Sequence, residues 1–278
     1  MGHDKLRKFA ENETFSCLLQ PSAEELLADG YFHLRDHAVK GQWNKRFQNN
    51  NPIVLELGCG KGEYTIGLAE RDPERNYIGV DIKGARLWKG AKYATEHAMP
   101  NVAFLRTRVE FITAFFAPGE VSEIWLTFSD PQYRSENSRL SSPLFLERYR
   151  SFLKPGGIVH LKTDSRFLHE YTRAVCEANG LRVLAQTTDL YGQPDESIHP
   201  AVREVKTFYE QLFLEQGYPI TYLSFVIDHE GPFVSPRDPE QFDSKAWRAA
   251  EGPRLLFGHD SADTRRQKLH AAPFSVED

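Results

Sequence analysis

The sequence contains little cysteine and no long apolar run. Its 278 residues include only three cysteines, Cys17, Cys59 and Cys176, with no CxxC pair, so neither a disulfide framework nor a cysteine-based zinc site is expected. No stretch approaches the roughly 18 apolar residues of a membrane helix. The charged residues 1–10 lack the apolar core of a signal peptide. We therefore expect a soluble, cytoplasmic protein without membrane contact.

The charge and composition are those of an ordinary globular protein. Acidic residues outnumber basic residues by 39 to 34, and the formal net charge is -5. This balance argues against a protein that binds nucleic acid non-specifically, although a local basic face can still bind phosphates. Apolar residues make up 40% and charged residues 26% of the chain, which excludes disordered, collagen-like and coiled-coil proteins.

Strand and helix patterns alternate from residue 53 onward. Strands are predicted at 53–57, 76–81, 102–105, 123–128, 158–163, 182–185 and 220–227, and helices at 63–71, 83–97, 109–116, 143–153, 166–178 and 202–216. Because such alternation forms βαβ units, we predict an α/β domain over 51–229 with a mostly parallel sheet. Residues 1–50 are predicted to be a partly basic, flexible N-terminal extension. Residues 230–278 are predicted to be an irregular C-terminal extension, with a helix near 244–250.

A glycine-rich loop follows the first predicted strand. Gly58, Gly60 and Gly62 stand between that strand and a helix, where glycines allow a sharp turn and a close approach of the backbone to a ligand. Asp81 ends the second strand, where a carboxylate can accept the hydroxyls of a ribose. The GxGxG spacing differs from the GxGxxG of dinucleotide sites, which disfavours an NAD-dependent oxidoreductase. A plain tight turn, with Asp81 as a surface acid, is the alternative.

Two aspartates follow the fourth and fifth predicted strands. Asp130 precedes Pro131, and Asp164 ends the segment KTD. Because ligands bind at the carboxyl ends of parallel strands, both carboxylates are expected at one edge of the sheet. A lone Asp-Pro pair is more often a turn, and paired acids can also bind a divalent metal. No third ligand stands at a suitable spacing, so we expect no metal.

The glycine loop belongs to a wider pattern. Together with Asp81 and the turn 152–157 (FLKPGG) before the fifth strand, it resembles the class I, S-adenosylmethionine-dependent methyltransferase fold. The two late strands, 182–185 and 220–227, resemble the terminal antiparallel hairpin of that fold. The resemblance implies a Rossmann-like sheet of seven mostly parallel strands, with helices on both faces and a terminal antiparallel strand.

Three further segments resemble one family within that fold. They are 128–134 (FSDPQYR), 162–164 (KTD) and 207–210 (TFYE), and they are similar to those of the bacterial tRNA (guanine-N7-)-methyltransferases. The resemblance covers residues 5–227. It implies transfer of a methyl group from S-adenosylmethionine to N7 of a variable-loop guanine, position 46, in tRNA.

The same resemblance implies roles for individual residues. Asp130 is expected to be the catalytic residue. The residues expected to contact the S-adenosylmethionine cofactor are Glu56, Gly58, Gly60, Asp81, Thr107 and Asp130. The residues expected to contact the tRNA are Arg134, Asp164, Thr207, Phe208, Tyr209 and Glu210.

The chain departs from the family pattern at several positions. Gln132 stands where the family has a tryptophan after Asp-Pro, and the basic run that follows is reduced to Arg134 and Arg139. Thr107 lies between two arginines, where many members have an acid near the adenine. These differences concern tRNA and adenine contacts more than the chemistry. Residues 5–9 (KLRKF) resemble a flexible basic segment that some members use near bound tRNA.

Positive charge is concentrated near the substrate segments. Between residues 131 and 173, eight basic residues stand against four acidic ones. With the family resemblance, this predicts a basic face beside the fourth and fifth strands and an exposed Tyr133 that stacks on a base. The alternative interpretation is a set of solvated helix faces. Two other functions stay open: a class I methyltransferase of a small molecule or protein, and a non-catalytic binding subunit.

Overall fold

The computed structural model describes residues 2–28, 30, 33–193, 195–236 and 239–251. Its centre is one sheet of eight strands in the order β1-β4-β3-β2-β5-β6-β8-β7. Strands β1 to β6 are parallel, whereas β8 pairs antiparallel with both β6 and β7. The strands are β1 (Leu18–Leu19), β2 (Ile53–Leu57), β3 (Asn76–Asp81), β4 (Val102–Arg106), β5 (Val121–Thr127), β6 (Leu153–Thr163), β7 (Val183–Thr187) and β8 (Thr221–Val226).

Helices cover both faces of this sheet. They are α1 (Gly2–Asn12), α2 (Ala23–Leu26), α3 (Trp43–Phe47), α4 (Glu63–Arg71), α5 (Gly84–Glu96), α6 (Pro143–Arg150), α7 (Arg166–Ala178), α8 (Ala201–Glu204), α9 (Phe208–Glu215) and α10 (Ser244–Ala250). Short 3₁₀ helices span Val109–Ala114, Glu136–Ser138 and Pro239–Phe242. None of the helices in these ranges is long and apolar enough to cross a membrane.

The central strands are apolar on both faces because each face carries its own core. Every residue of β2 and β3 is buried, as expected for parallel strands covered by helices on both sides. Leu55 and Ile78 belong to one apolar cluster, and Val54 and Tyr77 to the other. This double burial fixes the carboxyl ends of the strands, where the loops of the candidate site begin.

The sheet has eight strands where seven were predicted. The additional strand, β1, is only two residues long and pairs Leu18 with Phe104 of β4, so it is too short to show an alternating pattern. Helix α1 packs on α5, where the Trp88 indole donates to Glu11 at 2.6 Å and the Asn12 amide donates to the Gly84 carbonyl at 2.9 Å. Part of the predicted N-terminal extension therefore lies against the sheet layers.

Other boundaries differ for local reasons. The helix predicted at 202–216 is two helices, because the Thr207 side chain caps a new helix, α9. The helix predicted at 109–116 is the 3₁₀ helix, and the helix predicted at 143–153 ends at Arg150. The helix near 244–250 is confirmed as α10. Residues 252–278 of the predicted C-terminal extension lie outside the described residues.

Candidate active site

The loop between β2 and α4 is built on glycines in the left-handed region. Gly58, Gly60 and Gly62 have φ of 80°, 58° and 74°, which glycine adopts without strain. The amides of Gly58 and Cys59 donate to the Val80 carbonyl at 2.8 and 3.0 Å, which ties the loop to β3. A Cβ added at Gly58 or Gly60 would meet no atom within 4 Å. The loop therefore faces space that a ligand can fill.

A groove of about 370 Å³ lies beside this loop, at the carboxyl ends of β3 and β4. Asp81 is buried next to it and accepts hydrogen bonds from the amides of Gly60 at 3.0 Å and Lys83 at 2.7 Å. The groove is lined by Gly58, Asp81, Ile82, Thr107, Arg108, Val109 and Glu110. Three of the residues expected at the cofactor, Gly58, Asp81 and Thr107, therefore share one cavity.

Sequence reasoning missed the apolar side of this groove. Ile82 directly follows Asp81 and is 53% exposed, and Val109 begins the 3₁₀ helix after β4. The position of Ile82, directly after the aspartate that ends a buried strand, was the sequence signal that could have predicted an apolar wall here. Such side chains offer a flat ring an apolar surface to pack on.

Glu56 lies within the sheet rather than in the open groove. It is 4% exposed, and its carboxylate accepts hydrogen bonds from the Thr65 amide at 2.8 Å and from the hydroxyls of Thr65 and Thr127. Burial raises the pKa of Glu56 to about 7, although these hydrogen bonds oppose the rise. A cation brought close to this carboxyl would favour its ionised form.

A strained loop presents Asp130 to solvent after β5. Phe128 and Gln132 flank it with φ of 49° and 47°, in a region that costs a non-glycine residue about 1–3 kcal/mol. The Phe128 amide donates to the Lys162 carbonyl at 2.9 Å, and the Asp130 carboxylate accepts from the Gln132 amide at 2.9 Å. Such strain persists where the surroundings enforce it, and functional sites are a common setting.

Asp164 follows the adjacent strand. Because β5 and β6 are neighbouring parallel strands, the loops that carry Asp130 and Asp164 begin at the same edge of the sheet. Asp164 is half-buried. Ser165, the next residue, caps α7 by accepting a hydrogen bond from the Leu168 amide at 3.1 Å. The structure thus places the two carboxylates on neighbouring strand ends, as the sequence predicts.

The TFYE segment begins helix α9. Thr207 and Glu210 form a reciprocal capping box. Glu210 is also fully buried, pairs with Lys162 at 2.7 Å and accepts a hydrogen bond from the Tyr191 hydroxyl. Burial lowers the pKa of Lys162 to about 8, while Glu210 opposes this effect. The expected direct contact of Glu210 with tRNA is therefore corrected, because in this conformation its side chain has no exposed surface and instead supports the segment from within.

Phe208 is the exposed member of this segment, at 47%. Its amide donates to the Glu63 carboxylate at 2.9 Å, which ties the start of α9 to the start of α4. The Lys61 ammonium lies 5.3 Å from the centroid of the Phe208 ring and 5.9 Å from that of Tyr209. The TFYE segment and the glycine loop are therefore direct neighbours.

The eight basic residues within 131–173 do not form the single exposed basic face that was predicted. The Arg139 guanidinium is buried and stacks on Phe167 and Tyr171, and Lys162 is the buried partner of Glu210. Lys154, near the start of β6, lies at the opposite edge of the sheet. Five exposed cations at the carboxyl edge follow β3, β4, β5 and β6 or precede α9, and two of the five, Arg134 and Arg166, belong to residues 131–173. The five are Lys83, Arg108, Arg134, Arg166 and Lys206.

Tyr133 is half-buried rather than exposed as predicted. Its ring packs on Phe167 with centroids 4.8 Å apart, and its hydroxyl donates to Glu251. The ring is therefore not available to stack on a base in this conformation. The reason is that residues 239–251 pack beside it, a placement that the sequence pattern does not reveal.

Two features of the described residues bear on chemistry other than methyl transfer. In the part of the chain that the structure describes, no group of three or more His, Cys, Asp or Glu side chains could hold a metal ion. Cys59 of the glycine loop is buried, and burial raises the pKa of its thiol well above the usual value. A neutral thiol of this kind is a packing group rather than a nucleophile.

The chain is similar to known methyltransferases along most of its length. A family model described as a putative methyltransferase matches residues 50–223. The tRNA (guanine-N(7)-)-methyltransferase of Christiangramia forsetii is 51% identical over 227 residues, which cover 81% of this chain and 98% of that relative. The protein of the same name from Bacteroides fragilis is 46% identical over 248 residues, which cover 88% and 94%.

A solved structure shows the same fold. The crystal structure of the 16S rRNA methyltransferase KamB has a TM-score of 0.51 at 15% identity, covering 70% of this chain and 94% of that chain. With the sheet order given above, the fold is Rossmann-like and of the class I methyltransferase type. The identity to the curated relatives and the extent of the match define the family more narrowly: the chain belongs to the tRNA (guanine-N7-)-methyltransferases.

Proposed function

We propose that this protein transfers a methyl group from S-adenosylmethionine to N7 of a variable-loop guanine, position 46, in tRNA. The observation that carries the proposal is the 51% identity to a tRNA (guanine-N(7)-)-methyltransferase matched over 98% of its length. The groove beside the glycine loop and the exposed Asp130 support it. A cofactor site and a substrate site would then share one edge of the sheet.

The groove suits the adenosine part of the cofactor. The Asp81 carboxylate would accept the ribose hydroxyls, as acids at this strand end do in nucleotide folds. Ile82 and Val109 would pack on the adenine ring, and the Thr107 hydroxyl would hydrogen-bond its edge. The lining residues on which these roles depend all belong to this cavity of about 370 Å³.

The glycine loop suits the methionine part. Gly58 and Gly60 leave open space in front of the backbone, so a ligand can approach the loop closely. Glu56 would place negative charge beneath the ammonium group of the cofactor. Asp130, after the strand next to β2, would lie towards the sulfonium. When bound, the cofactor supplies the methyl group in activated form.

The chemistry requires little from the protein beyond position. Guanine N7 carries a lone pair in the neutral base, so no general base is needed. We propose that Asp130 and Asp164 accept hydrogen bonds from the guanine N1–H and amino group, which selects guanine over adenine. Their negative charge would also stabilise the positive charge that develops on the methylated purine. Catalysis is then mainly alignment of N7 with the methyl–sulfur bond.

The tRNA would lie across several loops. Arg134 and the four other exposed cations at the carboxyl edge would contact phosphates. Phe208 would present its exposed ring to a splayed base, with Thr207 and Tyr209 beside it. Glu210 would act on the nucleotide only indirectly, through the capping box. We also propose that residues 51–229 are the catalytic unit and that the protein acts in the cytoplasm.

The test is transfer of labelled methyl from S-adenosylmethionine to unmodified tRNA, with the product nucleoside identified. The expected product is N7-methylguanosine, and it should disappear when the variable-loop guanine is replaced by adenine. A matched tRNA with a guanine replaced elsewhere serves as the control. Binding of S-adenosylhomocysteine without any transfer to tRNA would overturn the substrate assignment and move the activity to a small molecule or protein.

A further inference from the structure

Residues 239–251 pack beside the start of helix α7. Asp243 caps α10 by accepting hydrogen bonds from the amides of Lys245 and Ala246 at 3.1 and 2.8 Å. The ring of Trp247 meets that of Phe167 edge-on, with centroids 5.6 Å apart. The segment is therefore folded and docked by an aromatic contact, although it lies beyond the family match, which ends at residue 223.

This segment delivers one carboxylate to the start of α7. Glu251 accepts a hydrogen bond from the Phe167 amide at 2.6 Å and from the Ser165 hydroxyl at 3.3 Å. The Phe167 amide belongs to the first turn of the helix, whose amides have no partner within the helix, and Ser165 is the N-cap residue. Ser165 itself caps Leu168, so Glu251 adds a second cap. A negative charge at this end of a helix is also favoured by the helix dipole.

The same carboxylate contacts the other substrate loop. Glu251 accepts a hydrogen bond from the Tyr133 hydroxyl, and Tyr133 follows Asp130 by three residues in the strained loop after β5. Ser165, on the opposite side, directly follows Asp164. One side chain from the C-terminal segment thus joins the two loops that carry the two active-site aspartates.

We propose that Glu251 is a positioning residue for methyl transfer: it fixes the loop of Asp130 against the helix that follows Asp164. The inference rests on the proposed function. The Asp130 loop is strained at Phe128 and Gln132, and a strained conformation persists only where surrounding contacts enforce it. Glu251 adds one such contact, through Tyr133, to those that Arg139 makes with the Gln132 and Tyr133 carbonyls. Misplacement of reacting groups by about 1 Å costs about 100-fold in rate, which makes a restraint of this kind consequential.

The test compares three full-length variants with the wild type. Glu251→Ala removes the acceptor, Glu251→Gln keeps one acceptor oxygen, and Tyr133→Phe removes only the hydroxyl on the other loop. Glu251→Ala is expected to lower kcat on tRNA about 10-fold, with a smaller loss for the other two. The affinity for S-adenosylhomocysteine should not change. Glu230→Gln is the matched control, because Glu230 is an exposed acid near the same end of the chain.

Two further readouts separate positioning from general destabilisation. Hydrogen exchange at the Phe167 amide should accelerate in both Glu251 variants but not in Glu230→Gln. In the double variant, the losses of kcat caused by Glu251→Ala and Tyr133→Phe should be less than additive, because the two substitutions remove one contact from its two ends.

The outcomes distinguish this inference from the function on which it rests. If the wild type is active and the Glu251 variants are equally active, the positioning role is overturned. If the variants are more active than the wild type, the role is also overturned, and residues 239–251 act as an inhibitory cap instead. A lower affinity for S-adenosylhomocysteine in Glu251→Gln, equal to its loss of kcat, would also overturn the role. A wild type that methylates no tRNA would overturn the proposed function instead. Unchanged hydrogen exchange at the Phe167 amide in the Glu251 variants would show, independently of activity, that Glu251 does not restrain the start of α7.

Discussion

The two halves of the sheet's carboxyl edge hold their side chains differently. In the half after β2, β3 and β4, Asp81 accepts hydrogen bonds from the Gly60 and Lys83 amides, so loops on neighbouring strands fix one another. In the half after β5 and β6, Asp130 is exposed on a strained loop. That half is supported from behind by Glu210 and Glu251, which are distant in the sequence.

The difference matches what each half is proposed to bind. The half after β2, β3 and β4, the cofactor half, is proposed to bind S-adenosylmethionine, and the half after β5 and β6, the substrate half, is proposed to bind tRNA. A small cofactor would lie in the groove, where short-range hydrogen bonds between neighbouring loops set the lining residues. A tRNA must approach an open surface, so the groups that meet it stay exposed. Rigidity on that side has to come from buried side chains beneath the surface, of which the Lys162–Glu210 pair is the clearest. The two halves should therefore respond differently to substitution.

The largest effect is expected from removing the cation beneath the substrate half. Lys162→Met leaves the fully buried Glu210 without its ion-pair partner, and breaking a buried pair in this way costs about 3–5 kcal/mol. The free energy of unfolding, measured with urea, should fall by that amount. At temperatures where the variant stays folded, binding of S-adenosylhomocysteine should be retained, because the cofactor half is held separately.

Two further variants sharpen this prediction. The double substitution Lys162→Met with Glu210→Gln should recover much of the loss, since no unpaired charge is left buried. Lys206→Met removes an exposed cation from the same region and should change stability by less than about 0.5 kcal/mol. A Lys162→Met variant as stable as the wild type would show that the substrate half does not depend on buried support.

The next largest effect concerns activity rather than stability. Asp130→Ala is expected to lower kcat on tRNA by about 100- to 1000-fold, the range found when one preorganised electrostatic group is removed from an active site. The dissociation constant of S-adenosylhomocysteine should stay near that of the wild type. Asp130→Asn is the matched variant, because it retains an acceptor for the Gln132 amide while it loses the charge. Near-normal turnover in Asp130→Ala would rule out its catalytic role.

The cofactor half should show a pH dependence of stability through Glu56. Its pKa rises from 4.5 to about 7 on folding because of burial. The folded state therefore holds this proton more tightly, and the stabilisation present below pH 4.5 is lost as the pH rises through 7. Relative to Glu56→Gln, the free energy of unfolding should fall by up to about 3 kcal/mol across this window. Parallel pH profiles for the two proteins would contradict the buried setting of Glu56.

The same contrast explains what the sequence could predict. The cofactor half follows from contiguous signals: a buried strand, three glycines in the left-handed region, and Asp81 at the end of the next strand. Parallel strands bring such loops together, so topology also places Asp130 and Asp164 at neighbouring strand ends. The roles of these residues stay proposals, whereas their arrangement at one edge is what the structure contains.

The remainder depends on packing between distant segments. Lys162 and Arg139 count as positive charge in the sequence, yet one pairs with Glu210 and the other stacks on aromatic rings. Tyr133 is covered because Glu251, more than a hundred residues later, reaches it. Strand β1 is too short to carry a pattern of its own. Contacts of this kind cannot be predicted from local sequence periodicity. Counting the basic residues of 131–173 therefore predicted more exposed positive charge than the structure has.

The smallest effect tests whether the two halves are separable. Asp81→Asn keeps the size of the side chain, but its amide group can no longer accept from both the Gly60 and Lys83 amides. One charged hydrogen bond is worth about 1.5–3 kcal/mol, so the affinity for S-adenosylhomocysteine should fall about 10- to 150-fold. Turnover at saturating cofactor should stay near that of the wild type. Asp72→Asn, at the C-cap of α4, is the control. If kcat falls in Asp81→Asn as it does in Asp130→Ala, the cofactor loop also positions the substrate, and the two halves act as one unit.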